Sequence, residues 1–163
     1  MTSWLTPRLL SLASWFLAVL AALCYAASLL LPAFHEGSPG NSGPAGYQVL
    51  AIGWMSAGLI PWGNGPWALI AWCANIPALL GFSKALSGRR TGLLGVVPLA
   101  MAGAVVPWNG AGLTAEVGTG TVTTPNVGMW LWLLALSLLA AHGALTALTN
   151  KGPATPGRPK SRE

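Results

Sequence analysis

The sequence of 163 residues contains no aspartate and only three acidic residues, and charged residues make up just 7% of it. Water-soluble domains carry roughly 25% charged residues, because polar side chains must cover their surfaces. In this chain 53% of the residues are hydrophobic. The shortage of charge excludes an ordinary soluble domain and predicts that lipid is the solvent for most of the chain.

Common catalytic signatures are missing as well. The sequence has no phosphate-binding P-loop, no HExxH zinc-protease motif and no GxSxG serine elbow. No apolar stretch contains a pair of carboxylates for acid–base chemistry, and the cysteines and histidines lack the spacing of a metal site. We therefore expect a protein that is not an enzyme and that holds no cofactor and no metal ion.

The basic residues occur in three clusters that bound apolar stretches: Arg8, then Lys84, Arg89 and Arg90, and finally Lys151, Arg158, Lys160 and Arg162. Such placement is typical of topology determinants under the positive-inside rule, and it does not resemble a nucleic-acid-binding surface. The net charge of +5 is therefore interpreted as a marker of the cytoplasmic side of a membrane.

Four apolar stretches are predicted to be transmembrane helices, at residues 9–31, 66–83, 91–108 and 127–148. The first has about 23 residues, which is enough to cross a hydrocarbon core about 30 Å thick. A cleaved signal peptide is the competing interpretation, but the apolar run exceeds the usual length of about 7–15 residues. With four spans the basic clusters share one side, which predicts cytoplasmic N and C termini.

The stretch from 47 to 86 admits two interpretations, because a segment rich in Pro and Gly interrupts it at residues 61–66. Two short spans would place Lys84, Arg89 and Arg90 outside. The favoured alternative has one span and an apolar helix at residues 47–60 that is interfacial or re-entrant, with its tryptophans at the headgroup level.

Two segments outside the spans complete the predicted architecture. Alternating β-branched residues around a glycine-containing turn predict a small outer β-hairpin at residues 115–124. Residues 150–163, rich in Pro and basic residues, are predicted to form a disordered cytoplasmic tail after a membrane domain of residues 1–149. The predicted fold class is thus an all-α integral membrane bundle of four helices with an outer cap.

The polar residues inside the spans are the candidate functional sites, because burying a polar group in lipid is costly. Asn75 is interpreted as a hydrogen-bonding contact between helices, with ligand or ion contact as the alternative. His142 is expected to be a neutral interhelical donor, since a haem held by two imidazoles requires a second histidine within the membrane. Cys24 and Cys73 lie at similar depths and are either two small buried side chains or, if their helices touch, a disulfide pair.

A second candidate site lies in the outer loops. His35, Glu36 and Glu116 all face outward on the predicted topology and together form a candidate polar cluster for a cation. They are three groups on two loops without ligand spacing, so solvated loop residues are the simpler interpretation. Small residues on one helix face, Ala18, Ala22 and Ala26, and a similar set at Ala140, Ala144 and Leu148, are expected to mark helix-packing faces.

Short motifs resemble those of small uncharacterised bacterial membrane proteins with four spans. They are G-x-x-x-L from Gly46 followed by G-W at Gly53, A-W-x-A-N ending at Asn75, and G-x-x-L-W-L from Gly128. The resemblance implies a bacterial inner-membrane protein and implies no activity.

The most economical functional hypothesis is a non-enzymatic accessory, assembly or inhibitory membrane component. Its partners would be the lipid bilayer and a membrane protein partner or further copies of itself. The alternative is a small oligomeric transporter or channel, for which only Asn75 and His142 offer a polar pathway. A redox carrier is disfavoured because the second haem ligand is missing.

Overall fold

The computed structural model describes residues 5–35, 43, 45–52, 65–103 and 124–149. In chain order its elements are α1 (Leu5–Leu30), β1 (Phe34–His35), α2 (Gly46–Ile52), α3 (Gly65–Cys73), α4 (Asn75–Leu86), α5 (Leu93–Gly103), β2 (Thr124–Pro125) and α6 (Val127–Thr149). The described part is therefore mostly helical, and its two strands are only two residues long.

Three helical stretches are long and apolar enough to cross a membrane: Arg8–Leu30, Leu69–Leu86 and Val127–Leu148. They coincide with the predicted spans at residues 9–31, 66–83 and 127–148. The shorter apolar helix α5 lies within the predicted span at residues 91–108. The expectation of a helical membrane protein is confirmed at this level.

The hydrogen-bond ladder of the second span is interrupted at Ala74, between α3 and α4. The backbone of Ala74 itself stays in the right-handed helical region, with φ −57° and ψ −25°. Pro77 lies just beyond the break, and it has no N–H to donate to the carbonyl of Cys73 four residues earlier. Hydrogen bonds from Ala74 N–H to Ile70 O and from Ala78 N–H to Ala74 O carry the backbone through the break.

Helix α4 ends, beside its basic residues, at a glycine whose backbone lies in the left-handed region. Gly88 has φ +70°, and its N–H donates to the carbonyl of Ala85, while Arg89 N–H donates to the carbonyl of Lys84 at 2.8 Å. This pattern is a Schellman motif, which satisfies carbonyls at the end of a helix and requires a residue that tolerates positive φ. The motif ends α4 beside Arg89 and Arg90.

Replacing Gly88 with alanine is expected to lower the free energy of unfolding by about 1 kcal/mol, because a Cβ is disfavoured at positive φ. Gly88→Asn should lose less, since asparagine tolerates the left-handed region. Thermal unfolding of both variants in one mild detergent measures the difference. Equal stability of the alanine variant and the unmodified chain would contradict the assigned turn.

The core is built from α1, α4 and α6, with α1 packed along much of α6. Its buried residues are mostly small, which allows the helix backbones to approach closely in lipid. They include Ala18, Ala21 and Tyr25 of α1, Ala78, Phe82 and Ala85 of α4, Ala102 of α5, and Ala135, Leu136 and Leu139 of α6.

The predicted packing faces of α1 and α6 are wrong in part. Ala18 is buried as expected, but Ala22 is only half-buried and Ala26 is exposed, because the buried stripe runs through Ala21 and Tyr25 instead. Similarly, Ala144 is exposed and Leu148 is 68% exposed on α6. Residues spaced four apart move progressively around the helix, because an α-helix has 3.6 residues per turn.

The helix ends opposite the basic residues Lys84, Arg89 and Arg90 are joined by backbone hydrogen bonds in a collar, which comprises residues 31–35, 45–46 and 124–128. Pro32 pairs with Ala45 in an isolated bridge, and strand β1 pairs antiparallel with β2. Gly46 N–H donates to Leu31 O, and Asn126 N–H donates to Ala33 O. The collar thus fixes the start of α2 and the start of α6 against the end of α1.

Several predicted features fall partly or wholly outside the described residues. Of the apolar helix predicted at residues 47–60, the structure describes α2, which ends at Ile52. Of the hairpin predicted at residues 115–124, it describes only Thr124, whose partner is His35 and not a second strand of the hairpin. The tail at residues 150–163 also lies outside the described part.

Candidate intramembrane polar site

Asn75 lies at the first position of α4, directly after the break, and its side chain joins three parts of the bundle. The Tyr25 hydroxyl of α1 donates to Asn75 Oδ1 at 3.0 Å, and the Trp132 indole N–H of α6 donates to the same oxygen at 2.9 Å. Asn75 Nδ2 donates to the Trp72 carbonyl at 2.9 Å. One amide therefore links the three longest apolar stretches of the chain.

The orientation of the Asn75 amide follows from its partners. An indole N–H can only donate and a backbone carbonyl can only accept, so Trp132 requires the oxygen and Trp72 requires the nitrogen. An amide oxygen has two lone pairs, and both are occupied by Tyr25 and Trp132. No lone pair of Oδ1 is left for an ion or a ligand, which makes this side chain a connector between helices.

Aromatic packing and a second indole extend the site. The Tyr25 ring packs on Phe82 of α4, with ring centroids 5.1 Å apart and planes inclined by 54°. The Trp72 indole N–H donates to the Leu50 carbonyl of α2 at 2.7 Å. Tilted aromatic pairs are favourable beyond their burial, and buried indole and phenol groups need a hydrogen-bond partner. The site thereby also attaches α2 to the broken span.

No known relative helps to interpret this site. Comparisons with known protein families, with curated proteins and with solved structures found no match for the chain. The resemblance to small bacterial membrane proteins therefore stays a prediction, and the function must be argued from the residues themselves.

His142 lies in α6 and contacts α1 nearer the basic end of the bundle. Its Nδ1 is 3.0 Å from both the hydroxyl and the carbonyl oxygen of Ser14. Since a carbonyl only accepts, Nδ1 carries the proton in the contact with it, and Nε2 is then an acceptor. Nε2 is buried and has no hydrogen-bond partner among the described residues. The residue itself is only 3% exposed.

The remaining candidate residues are not brought together as a site. Cys24 and Cys73 are both free thiols and are half-buried. Of the proposed outer cluster, His35 is described only through its backbone pairing with Thr124, and Glu36 and Glu116 lie outside the described residues. Within the described part, no group of His, Cys, Asp or Glu residues is able to hold a metal ion.

The sequence indicates Asn75 as a polar contact between helices, but it does not indicate its partners Tyr25 and Trp132. A signal was present, because a tyrosine or tryptophan within an apolar span carries a donor that must be satisfied. Which acceptor satisfies it depends on the helix packing, which one sequence does not specify.

Proposed function

We propose that this chain is a non-enzymatic accessory, assembly or inhibitory component of a bacterial inner membrane, acting through lateral contact with a membrane protein partner. The supporting observation is the amide of Asn75, because its oxygen accepts from two other helices and its nitrogen donates to the Trp72 carbonyl, so that this polar side chain holds three helical stretches together. Hydrogen bonds of this kind between helices hold the bundle in a fixed arrangement, and the outward faces of the helices remain in contact with lipid.

The outward faces of the helices support a role in lateral contact. On α1 the large apolar side chains of Leu12, Trp15, Phe16 and Leu23 are each between 59% and 64% exposed. Lipid solvates such side chains readily, and another transmembrane helix can pack on them through van der Waals contact. Aromatic residues on this face provide the large, rigid contact area that interfaces favour.

The proposed topology has four crossings, with both termini in the cytoplasm. Helix α5 starts three residues after Arg90 and has 11 residues, which span only about 16 Å as an α-helix. A crossing therefore requires it to continue through residues 104–108, whose composition in Trp, Pro and Val is compatible with the outer half of a bilayer. The positive-inside rule then places Arg8, Arg90 and the basic tail on one side.

A second candidate function is a small oligomeric transporter or channel. The observation that favours it is the buried Nε2 of His142, which has no hydrogen-bond partner among the described residues. Polar groups without partners within transmembrane segments frequently mark ion or proton pathways. In this proposal several copies would assemble, and a water-filled path would have to open between α1 and α6 to reach the buried His142.

Mass spectrometry of the protein purified natively in mild detergent separates the two proposals. A stoichiometric second membrane protein is expected for the accessory component, with the association lost in Trp15→Ala and Phe16→Ala and kept in Leu134→Ala, a variant of another exposed apolar residue. A homo-oligomer that conducts ions or solutes in liposomes, and loses conduction in His142→Leu, would instead establish the alternative.

The topology has its own test. A reporter that is active only in the cytoplasm, fused after Glu163, should be active, and one fused within residues 104–123 should not be. Activity of a periplasmic reporter at the C terminus would refute the arrangement with both termini in the cytoplasm.

A further inference from the structure

A cavity of about 310 Å³ opens at the basic end of the bundle. One wall is the loop between α4 and α5, with Arg90 and Gly92, and the other is the end of α6, with Gly143, Thr146 and Ala147. The volume lies at the lower end of the range of small-molecule sites, which starts at about 300 Å³. Gly92 has open space where a Cβ would lie, whereas Gly143 allows the loop to approach α6 closely, because a Cβ there would lie 3.0 Å from Thr91 Oγ1.

The depth of the cavity follows from the helices that surround it. Helices α1 and α6 are antiparallel, because Ser14 contacts His142 at one end and Ala33 contacts Asn126 at the other. The apolar stretches therefore start at Arg8 and end at Leu86 and Leu148 on the same side as Arg90. Hydrocarbon ends at that level and the phospholipid headgroups begin, so the cavity opens where lipid phosphates lie.

The charge around the cavity is of one sign. Arg90 lines it, Lys84 and Arg89 are exposed nearby, and the described ranges contain no aspartate or glutamate at all. The guanidinium of Arg90 therefore has no carboxylate partner in this part of the chain. A planar guanidinium with free donors matches a phosphate in geometry and charge. Helix α5 begins next to the cavity, and its N-terminal dipole end also favours an anion there.

The residues that follow the lining residues Gly92 and Ala147 in the chain are both exposed leucines. Leu93 is 79% exposed at the start of α5, and Leu148 is 68% exposed at the end of α6. A free inorganic anion gains nothing from them, whereas a lipid could place its acyl chains along both leucines while its headgroup enters the cavity. The combination of a cationic cavity and an apolar rim thus favours an amphipathic anion over a soluble one.

We propose that this cavity binds the phosphate of an anionic glycerophospholipid, with Arg90 as the principal ligand. Basic pockets between transmembrane helices on the cytoplasmic side are suited to such headgroups. The proposal requires only that the chain lies in a membrane, so it is independent of the accessory role and of the identity of any partner.

The test uses the full chain in mild detergent, titrated with phosphatidylglycerol or with zwitterionic phosphatidylcholine, and counts bound lipid by native mass spectrometry. Phosphatidylglycerol is expected to bind about tenfold more tightly than phosphatidylcholine, and Arg90→Gln should remove most of that difference, as loss of a charge-assisted hydrogen bond implies. The matched control Arg89→Gln, which removes an exposed charge outside the cavity, should change binding by less than about twofold.

A second variant tests the contribution of the space in the cavity separately from that of its charge. Ala147→Leu keeps every cation but fills space next to Arg90, and it should lower phosphatidylglycerol binding as Arg90→Gln does. Thermal unfolding without added lipid verifies that each variant is folded. Equal losses in the Arg89 and Arg90 variants would mean unspecific attraction and would overturn the proposal, as would full binding by Ala147→Leu. Displacement of the lipid by millimolar inorganic phosphate would show a site for the free anion and would overturn the lipid assignment.

Discussion

Replacing Asn75 with alanine is expected to lower the free energy of unfolding by about 2–3 kcal/mol. The change removes the acceptor of two donors from other helices, the Tyr25 hydroxyl and the Trp132 indole N–H. Both hydrogen bonds are part-buried among the helices, so each donor loses its acceptor in a largely apolar environment. Leaving a buried donor without a partner costs more than the net gain from a typical hydrogen bond.

Reversible unfolding in mixed micelles of a mild detergent and dodecyl sulfate measures this effect. Ser137→Ala is the matched control, because the Ser137 hydroxyl is exposed and bonds only to the Leu133 carbonyl of its own helix. Asn75→Asp should keep more stability than the alanine variant, since it retains an oxygen for both donors. A double-mutant cycle with Tyr25→Phe isolates one bond. An Asn75→Ala variant as stable as the Ser137 control would refute the connecting role.

Replacing Gly128 with alanine is expected to cost about 2 kcal/mol by overpacking at the start of α6. A Cβ at this position would lie 2.7 Å from the carbonyl oxygen of Pro32 and 2.8 Å from that of Leu31. Both obstacles are backbone atoms, and Pro32 O also accepts the hydrogen bond of Gly128 N–H at 3.0 Å. The added methyl group must therefore push α6 away from the end of α1 and disturb the collar.

Gly103→Ala provides the matched control for this substitution. Gly103 is also a helical glycine, but a Cβ there meets nothing within 4 Å. Alanine should be neutral or slightly stabilising at that position, by up to about 1 kcal/mol, because it is the better helix former. The same unfolding measurement compares the two variants. Similar losses in both would indicate that helix propensity, and not the approach of α6 to the collar, determines the response.

The sequence-based prediction and the structure agree at both ends of α6. Its predicted span, residues 127–148, coincides with the observed stretch, because Asn126 and a run of uncharged apolar residues mark its start and Lys151 follows its end. The second span was predicted three residues too early at both ends, and the interruption of its hydrogen-bond ladder at Ala74 was not predicted. Proline tolerates several backbone solutions in a membrane helix, and the neighbouring helices select one of them.

The sequence identified only part of the candidate site. A single asparagine within an apolar span is conspicuous, so Asn75 was identified, whereas Tyr25 and Trp132 are 50 and 57 residues away from it along the chain. Nothing local relates these three residues. Their meeting depends on the antiparallel packing of α1 and α6 and on the position of α4 beside them.

The sequence by itself determined that lipid surrounds most of the chain and where the apolar helices lie. Transfer of a segment into lipid depends on the composition of that segment alone, so apolar length and flanking charge suffice to find the spans. What only the tertiary structure decided is the face that each helix turns inward, such as Ala21 and Tyr25 of α1, and the partners of each polar group. In lipid a core face and an outer face are equally apolar, so hydrophobicity cannot distinguish them, and close packing and hydrogen bonding between helices make the choice.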